Sequence, residues 1–224
     1  MLFDLGAGSD VSIARLVEAH LDAVAILHEA GRQPHPGALY GVWASVRPDG
    51  IDVELRDGRL SGVKSFCSGV GIVDRALVDV FVGGVRRLAD VGARLTDRSV
   101  RGAIEWQHRG LEATRTRTVQ FDRHRDVELV ASPGWYLDRP GFWHGAVGPA
   151  ACWAGGAAGL ASSMAVSDDP YRLAARGSIV ADVWTMVAVL ERAGRDADRA
   201  PGDRDGARFR ALAARHAIHE LATR

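Results

Sequence analysis

The chain has 224 residues, 47% of them apolar, and its 28 basic residues are balanced by 28 acidic ones. That length suits one large or two small domains with a buried core, and the balanced charge excludes a whole-protein field favouring nucleic acid or an anionic membrane surface. Met1 leads into Leu2-Phe3-Asp4 without a basic n-region, and the sequence reads without an apolar run near 18 residues. The expectation is a cytoplasmic protein with no membrane span.

From Val11 to Ala30, apolar residues recur at Ile13, Leu16, Val17, Leu21, Val24 and Leu27. This is the helical period, with Ser9 or Asp10 as N-cap and Gly31 as the stop. Gly6-Ala7-Gly8-Ser9-Asp10 precedes it and follows no strand, so it reads as a helix-capping turn rather than a phosphate loop. Pro34-His35-Pro36-Gly37 then ends helical structure.

Short β-prone runs follow at Tyr40–Val46, Ile51–Arg56, Arg59–Ser68, Ala76–Val82, Val85–Asp90, Thr118–Asp122 and Asp126–Val130. Pro48-Asp49-Gly50, Asp57-Gly58 and Gly83-Gly84 supply turns. These runs predict a compact antiparallel barrel or sandwich.

Beyond Pro133-Gly134 the pattern is helical at Pro149–Val166, Pro170–Ala193 and Ala207–Thr223, with the polar run Gly194–Gly206 read as an exposed loop. The expected class is α+β, with an N-terminal helix over 1–33, a β-domain over 34–132 and a helical domain over 133–224. Gly155-Gly156-Ala157-Ala158-Gly159 lies inside a predicted helix, where each Gly costs about 1 kcal/mol against Ala. Close helix packing is the compensation to look for. Cys67 and Cys152 have no paired spacing and read as small buried hydrophobes in a reducing compartment. Only Lys64 of the 28 basic residues is lysine, an arginine excess that coding bias explains.

Two stretches carry chemistry. In Gly58–Val80 an alternating strand ends at Phe66-Cys67-Ser68, then bends through Gly69-Val70-Gly71; Gly110-Leu111-Glu112-Ala113-Thr114 to Val127 lies in the second, which begins at Trp106. The first, with Gly62, Lys64, Phe66, Ser68, Gly69, Asp74 and Leu77-Val78, resembles the middle β-domain of the acyl-CoA dehydrogenase family. The second is similar to a strand pair of that family. Ala150-Ala151 and Gly156-Ala157-Ala158-Gly159-Leu160 resemble the start of its following helical domain.

That resemblance implies FAD as cofactor and an acyl-CoA thioester as substrate, with the α-proton taken by a glutamate and the β-hydrogen passed as hydride to the flavin. It places the Ser68 hydroxyl at the polar edge of the flavin, Phe66 beside the ring and Cys67 on the opposite face. Tyr40 to Ser45 falls where the family has a Thr-Glu-Pro strand end. Trp43 replaces Thr, either stacking on a flavin or filling its space as a core tryptophan, and Ser45 becomes a substrate-side candidate. Phe142-Trp143-His144 approaches the substrate, which makes His144 another.

The departures are also informative. The start of the helix at Gly148-Pro149-Ala150 offers no carboxylate, no other catalytic base is identified, and the family's pyrophosphate-gripping arginine motif has only Arg172 or Arg176 as loose substitutes. His216 and His219 share a helix face without a third metal ligand, so no metal is expected. Two readings follow: an FAD-dependent acyl-CoA dehydrogenase-like enzyme, or a non-catalytic relative serving as partner subunit or acyl-CoA-binding module. The sparse helical layers predict apolar surface left for a homo- or hetero-oligomer. A Trp43 indole filling the face at Ser68 would defeat the first reading.

Overall fold

The computed structural model describes residues 1–45, 53–93, 110–165 and 168–223. Within it the chain divides into two compact units, 19–139 and 1–18 with 140–224. The N-terminal helix expected as a separate element is therefore shared: α1 (Leu2–Gly8) and the first half of α2 (Val11–Glu29) belong to the helical unit, and the second half of α2 belongs to the sheet unit.

All seven expected strands form: β1 (Tyr40–Trp43), β2 (Val53–Arg56), β3 (Arg59–Cys67), β4 (Arg75–Val82), β5 (Val85–Gly92), β6 (Arg117–His124) and β7 (Val127–Leu129). Expected strand residues at 46 and 51–52, like 106–109 of the second stretch, lie outside the described residues. The two-residue turns Asp57-Gly58 and Gly83-Gly84 have positive φ at both positions, the conformation whose twist suits a tight hairpin.

The sheet runs β6-β3-β2-β4-β5-β7, with β1 also on β4. Against the antiparallel expectation it is mixed, because β1 and β2 both lie parallel to β4. Hairpin chemistry is local and was readable, whereas which strand pairs with β4 is decided by distant contacts. The sheet also curls. β6 and β7 stand at opposite ends of the strand order, yet only Arg125 and Asp126 separate them. Strands about 4.8 Å apart would hold those edges over 20 Å apart if flat, more than the roughly 10 Å that two linking residues can span.

β4 is buried on both faces. Ala76, Val78 and Val80 pack with Trp43, Leu60, Cys67, Val91, Val119 and Phe121, whereas Leu77 packs with Tyr40, Leu88 and the Ala23, Ile26 and Leu27 face of α2. Each large apolar side chain so buried contributes about 1.5–3 kcal/mol. Charges on this framework are paired: Arg75 Nε lies 2.7 Å from Asp90 and its terminal nitrogens 3.1 and 3.2 Å from Asp126, while the Tyr40 hydroxyl donates to Asp90 at 3.0 Å. The short helix α3 (Trp135–Asp138) follows the sheet, and Arg139 beyond it binds Glu29 and Asp22.

The helical unit adds α4 (Gly141–Gly145), α5 (Gly148–Ser163), α6 (Pro170–Arg199) and α7 (Arg204–Ala222). Of the segment read as a capping turn, Gly6 to Gly8 end helix α1, while Asp10 caps α2 by accepting from Ser12 N at 2.7 Å; α1 explains the glycines of α5. A Cβ at Gly155 would sit 2.2 Å from the Phe3 carbonyl oxygen, and one at Gly159 would sit 2.7 Å from that of Ala7. The two backbones touch, which is the compensation that the costly glycines required. The polar run expected as a loop is mostly helical, since Arg192–Asp196 and Glu191–Arg195 pairs at i,i+4 extend α6 to Arg199. Only Ala200–Asp203 breaks it before Asp203 caps α7 by accepting from Gly206 N.

Helix α6 is long and apolar enough to cross a membrane by length and composition, contrary to the sequence reading. Only Met186 and Ala193 of its 30 residues are buried, and Trp184 is 74% exposed.

Candidate functional site

The end of β3 departs from regular strand geometry. Its pairing with β6 slips between Lys64–Val119 and Cys67–Arg117, so three steps on β3 face two on β6. The extra residue makes a bulge, which rotates side chains away from simple alternation. Phe66 takes φ 59°, in the left-handed region. A bulky side chain there costs on the order of 1–3 kcal/mol, and such strain clusters at functional sites.

The consequence is local and directional. Phe66 is turned outward and is 65% exposed, while Lys64 and Cys67 on either side are fully buried. Lys64 donates from Nζ to the Asp79 carbonyl oxygen at 3.3 Å, and Asp79 pairs with Arg86. The only lysine of the chain thus anchors the strand that presents Phe66. Cys67 packs in the core with its thiol directed to the Lys64 carbonyl oxygen at 3.3 Å.

Next to Phe66, the Ser68 hydroxyl lies 2.8 Å from Thr116 Oγ1, which lies 2.8 Å from Thr114 Oγ1; Thr114 then donates to the Leu111 carbonyl oxygen at 2.7 Å. Gly69 N donates to the Thr114 carbonyl oxygen at 2.7 Å. The two stretches that carried the sequence resemblance therefore meet. Leu111 and Arg115, flanking the 3-10 turn Glu112–Thr114, are also left-handed, so this second wall is strained like the first. Thr114 and Thr116 were missed as site residues. Their signal was the Thr-rich second stretch, but the pairing with Ser68 depends on the β3–β6 register.

Trp43 is 1% exposed and packs in the core, donating from Nε1 to the Ser68 carbonyl oxygen at 2.8 Å. It engages the backbone of Ser68 and leaves the hydroxyl to Thr116. Gly41 makes room for it, since a Cβ there would lie 3.0 Å from the indole nitrogen. In this structure neither Trp43 nor Cys67 offers side-chain surface to a ligand, so both act as supports for the candidate edge rather than contacts. Ser45 is exposed near the same strand end, donating to the Ser65 carbonyl oxygen at 3.2 Å. His144 belongs to the helical unit, where its Nε2 donates to the Pro201 carbonyl oxygen at 3.0 Å. Among the described residues no group of His, Cys, Asp and Glu could hold a metal ion.

An exposed aromatic beside a chain of hydroxyls fits a flat heteroaromatic ring with a polar edge. Within the helical unit there is a carboxylate that sequence spacing did not reveal. Glu18 on α2 is 8% exposed, pairs with Arg15 at 2.6 Å and lies against Gly148, where a Cβ would be 3.0 Å from its Oε1. The start of α5, which has no acidic residue of its own, is supplied with one from another helix.

No protein-family model and no curated protein matches the chain. Solved structures do. TdsC from Paenibacillus sp. A11-2, in complex with FMN and indole, matches with a TM-score of 0.77 at 17% identity, over 98% of this chain and 68% of TdsC. KijD3, in complex with FMN and an amino-keto-sugar nucleotide, matches with a TM-score of 0.75 at 18% identity over 99% and 65%. The methanesulfinate monooxygenase MsuC from Pseudomonas fluorescens matches with a TM-score of 0.72 at 20% identity over 96% and 67%.

The fold is shared with these proteins. It is the acyl-CoA dehydrogenase-like α+β fold, with a curled sheet followed by helices. The match supports the sequence resemblance at the level of the fold: MsuC is a monooxygenase, and TdsC and KijD3 were solved with FMN rather than FAD. The chain spans about two thirds of their length.

Proposed function

We propose that the chain is a flavin-binding oxidoreductase whose cofactor contacts lie at the end of β3. The observation that carries this reading is the strained, outward-turned Phe66 beside the Ser68–Thr116–Thr114 hydroxyl chain. Strain at an exposed aromatic has no benefit to the core, and ligand binding gives it one. The FMN complexes of its structural neighbours support the choice of a flavin. When bound, a flavin supplies two-electron redox chemistry.

The protein's part in this proposal is to bind and orient. Phe66 packs beside the ring, Ser68 directs its hydroxyl to the ring's polar edge, and Thr116 with Thr114 holds that hydroxyl in one orientation. Trp43 and Lys64 fix the strand from the buried side. Of the two cofactors, FAD followed from the family resemblance and FMN from the structural neighbours. Within this reading, α,β-dehydrogenation of an acyl-CoA thioester is the substrate hypothesis.

The alternative, a partner subunit without its own turnover, is favoured by one observation: α6 leaves most of its apolar surface, including Trp184, uncovered. Association with a further copy or another chain would bury it.

The experiment is purification with excess riboflavin, followed by the visible spectrum and mass identification of the flavin released on heating. A stoichiometric band near roughly 450 nm supports the proposal, and acyl-CoA oxidation that is lost when the flavin is removed then supports the thioester. A folded, colourless protein that binds neither FMN nor FAD contradicts it.

A further inference from the structure

Helix α6 is exposed along one continuous stripe. Met186 and Ala193, its buried residues, mark the face that meets the rest of the helical unit. At about 100° per residue, Leu173, Gly177, Val180 and Trp184 lie on the opposite face, and all four are exposed. Their spacing of four, three and four residues is that of the apolar seam between paired helices. Gly177 stands out in it. Among the described residues a Cβ there would meet nothing within 4 Å, unlike one at Gly155, so no contact of the chain itself requires a residue that disfavours the helix.

The stripe reads the same in both directions. Two copies of α6 laid antiparallel about a two-fold axis between Ser178 and Ile179 would set Gly177 opposite the partner's Val180 and Leu173 opposite the partner's Trp184, so the glycine leaves room where the helices cross. Such self-complementarity is what a two-fold interface requires and an unrelated partner does not. Charge agrees with this arrangement. The overlap from Asp169 to Ala188, about 30 Å long, brings Asp169 beside the turn that carries the partner's Arg192, and the antiparallel helices oppose their dipoles. A bilayer is a poorer occupant, because Arg176 and Asp182 lie within the apolar stretch of α6 and charges among lipid tails are costly.

We propose that this stripe of α6 binds the same stripe of a second copy of the chain, forming an antiparallel two-fold dimer. Each copy contributes Leu173, Gly177, Val180 and Trp184 to the seam, and Arg176 and Asp182 stay off it. About 30 Å of paired helix lies at the small end of specific interfaces, so the dissociation constant is expected at roughly 10–100 µM. The proposal stands on the helical unit alone and does not rest on the flavin reading.

The test is sedimentation velocity of the full chain from about 1 to 200 µM, where a monomer–dimer equilibrium is expected. Trp184→Glu, a change at an exposed position, should weaken the dimer about tenfold or more. Gly177→Gln should weaken it to a similar degree by crowding the crossing, yet raise the melting temperature of the dilute monomer, since glutamine favours the helix. That opposition of sign would not arise from a role within one chain. Oxidising a mixture of Gly177→Cys and Val180→Cys chains should give a cross-linked pair, whereas Ser178→Cys, on another face of the helix, should not. Cys67 and Cys152 are buried, and the parent chain measures their background. A monomer at ~200 µM, a dimer that both seam variants leave intact, or a monomer that instead co-sediments with phosphatidylcholine vesicles would overturn the proposal.

Discussion

In the sheet unit, β4 buries apolar side chains on both faces and its neighbouring charges close on one another, Arg75 with Asp90 and Asp126, and Arg86 with Asp79. In the helical unit, α1 and α5 touch through glycine backbones, and 30-residue α6 buries only Met186 and Ala193. The first unit buries its central strand on both faces and pairs the charges beside it. The second unit spends its small residues on one close contact and leaves its longest helix open. Burial therefore separates the two units: β4 is enclosed and α6 is mostly exposed.

The sharpest way to break this contrast is in the sheet. Asp90→Ala would leave Arg75 partly unpaired and remove the acceptor of the Tyr40 hydroxyl, and should cost about 3–5 kcal/mol, read as a lower urea midpoint. Next is the helical contact. Gly155→Ala places a Cβ against the Phe3 carbonyl oxygen, so α1 must shift, at a cost of about 1–3 kcal/mol; hydrogen exchange should rise in α1 before it rises in the sheet.

Phe66→Gly should have the opposite sign. Removing a bulky side chain from a left-handed position relieves about 1 kcal/mol, and the lost ring is exposed, so the melting temperature should hold or rise while flavin affinity falls. A variant that loses stability as well would show that Phe66 serves packing rather than a ligand.

The smallest effect is alkaline. Burial, together with Asp90, pushes the Tyr40 hydroxyl up to about 12, and burial raises Tyr136 as well. The fold therefore favours the neutral phenols. Their contribution is present below the ordinary tyrosine value near 10 and is lost as pH rises from there towards 12. The urea midpoint should fall across that interval, and Tyr40→Phe should flatten part of the fall.

Much of the sheet was legible because its signals are local. Alternation marked β3, and Asp57-Gly58 and Gly83-Gly84 named their hairpins. The parallel pairing of β1 and β2 with β4 was not legible, since it depends on partners far away in sequence. Ser68 and Phe66 could be singled out by resemblance, but the strain at Phe66 arises from a bulge against β6, and Thr116 becomes a neighbour only through that register. Glu18 was hidden for the same reason: it serves the start of α5 from a helix more than a hundred residues earlier. Asp10 was legible as a cap, but helix α1 was not, because Gly6 and Gly8 argue for a turn and the contact of Gly6 with α5 comes from far away in sequence.

The most direct test of the flavin edge is a fluorescence-quenching titration of FMN and FAD against the parent chain and Ser68→Ala. Saturable, one-to-one binding of one flavin, weakened about tenfold by removal of the hydroxyl, is the predicted result. Binding of neither flavin, or equal affinity in the folded variant, would contradict the account.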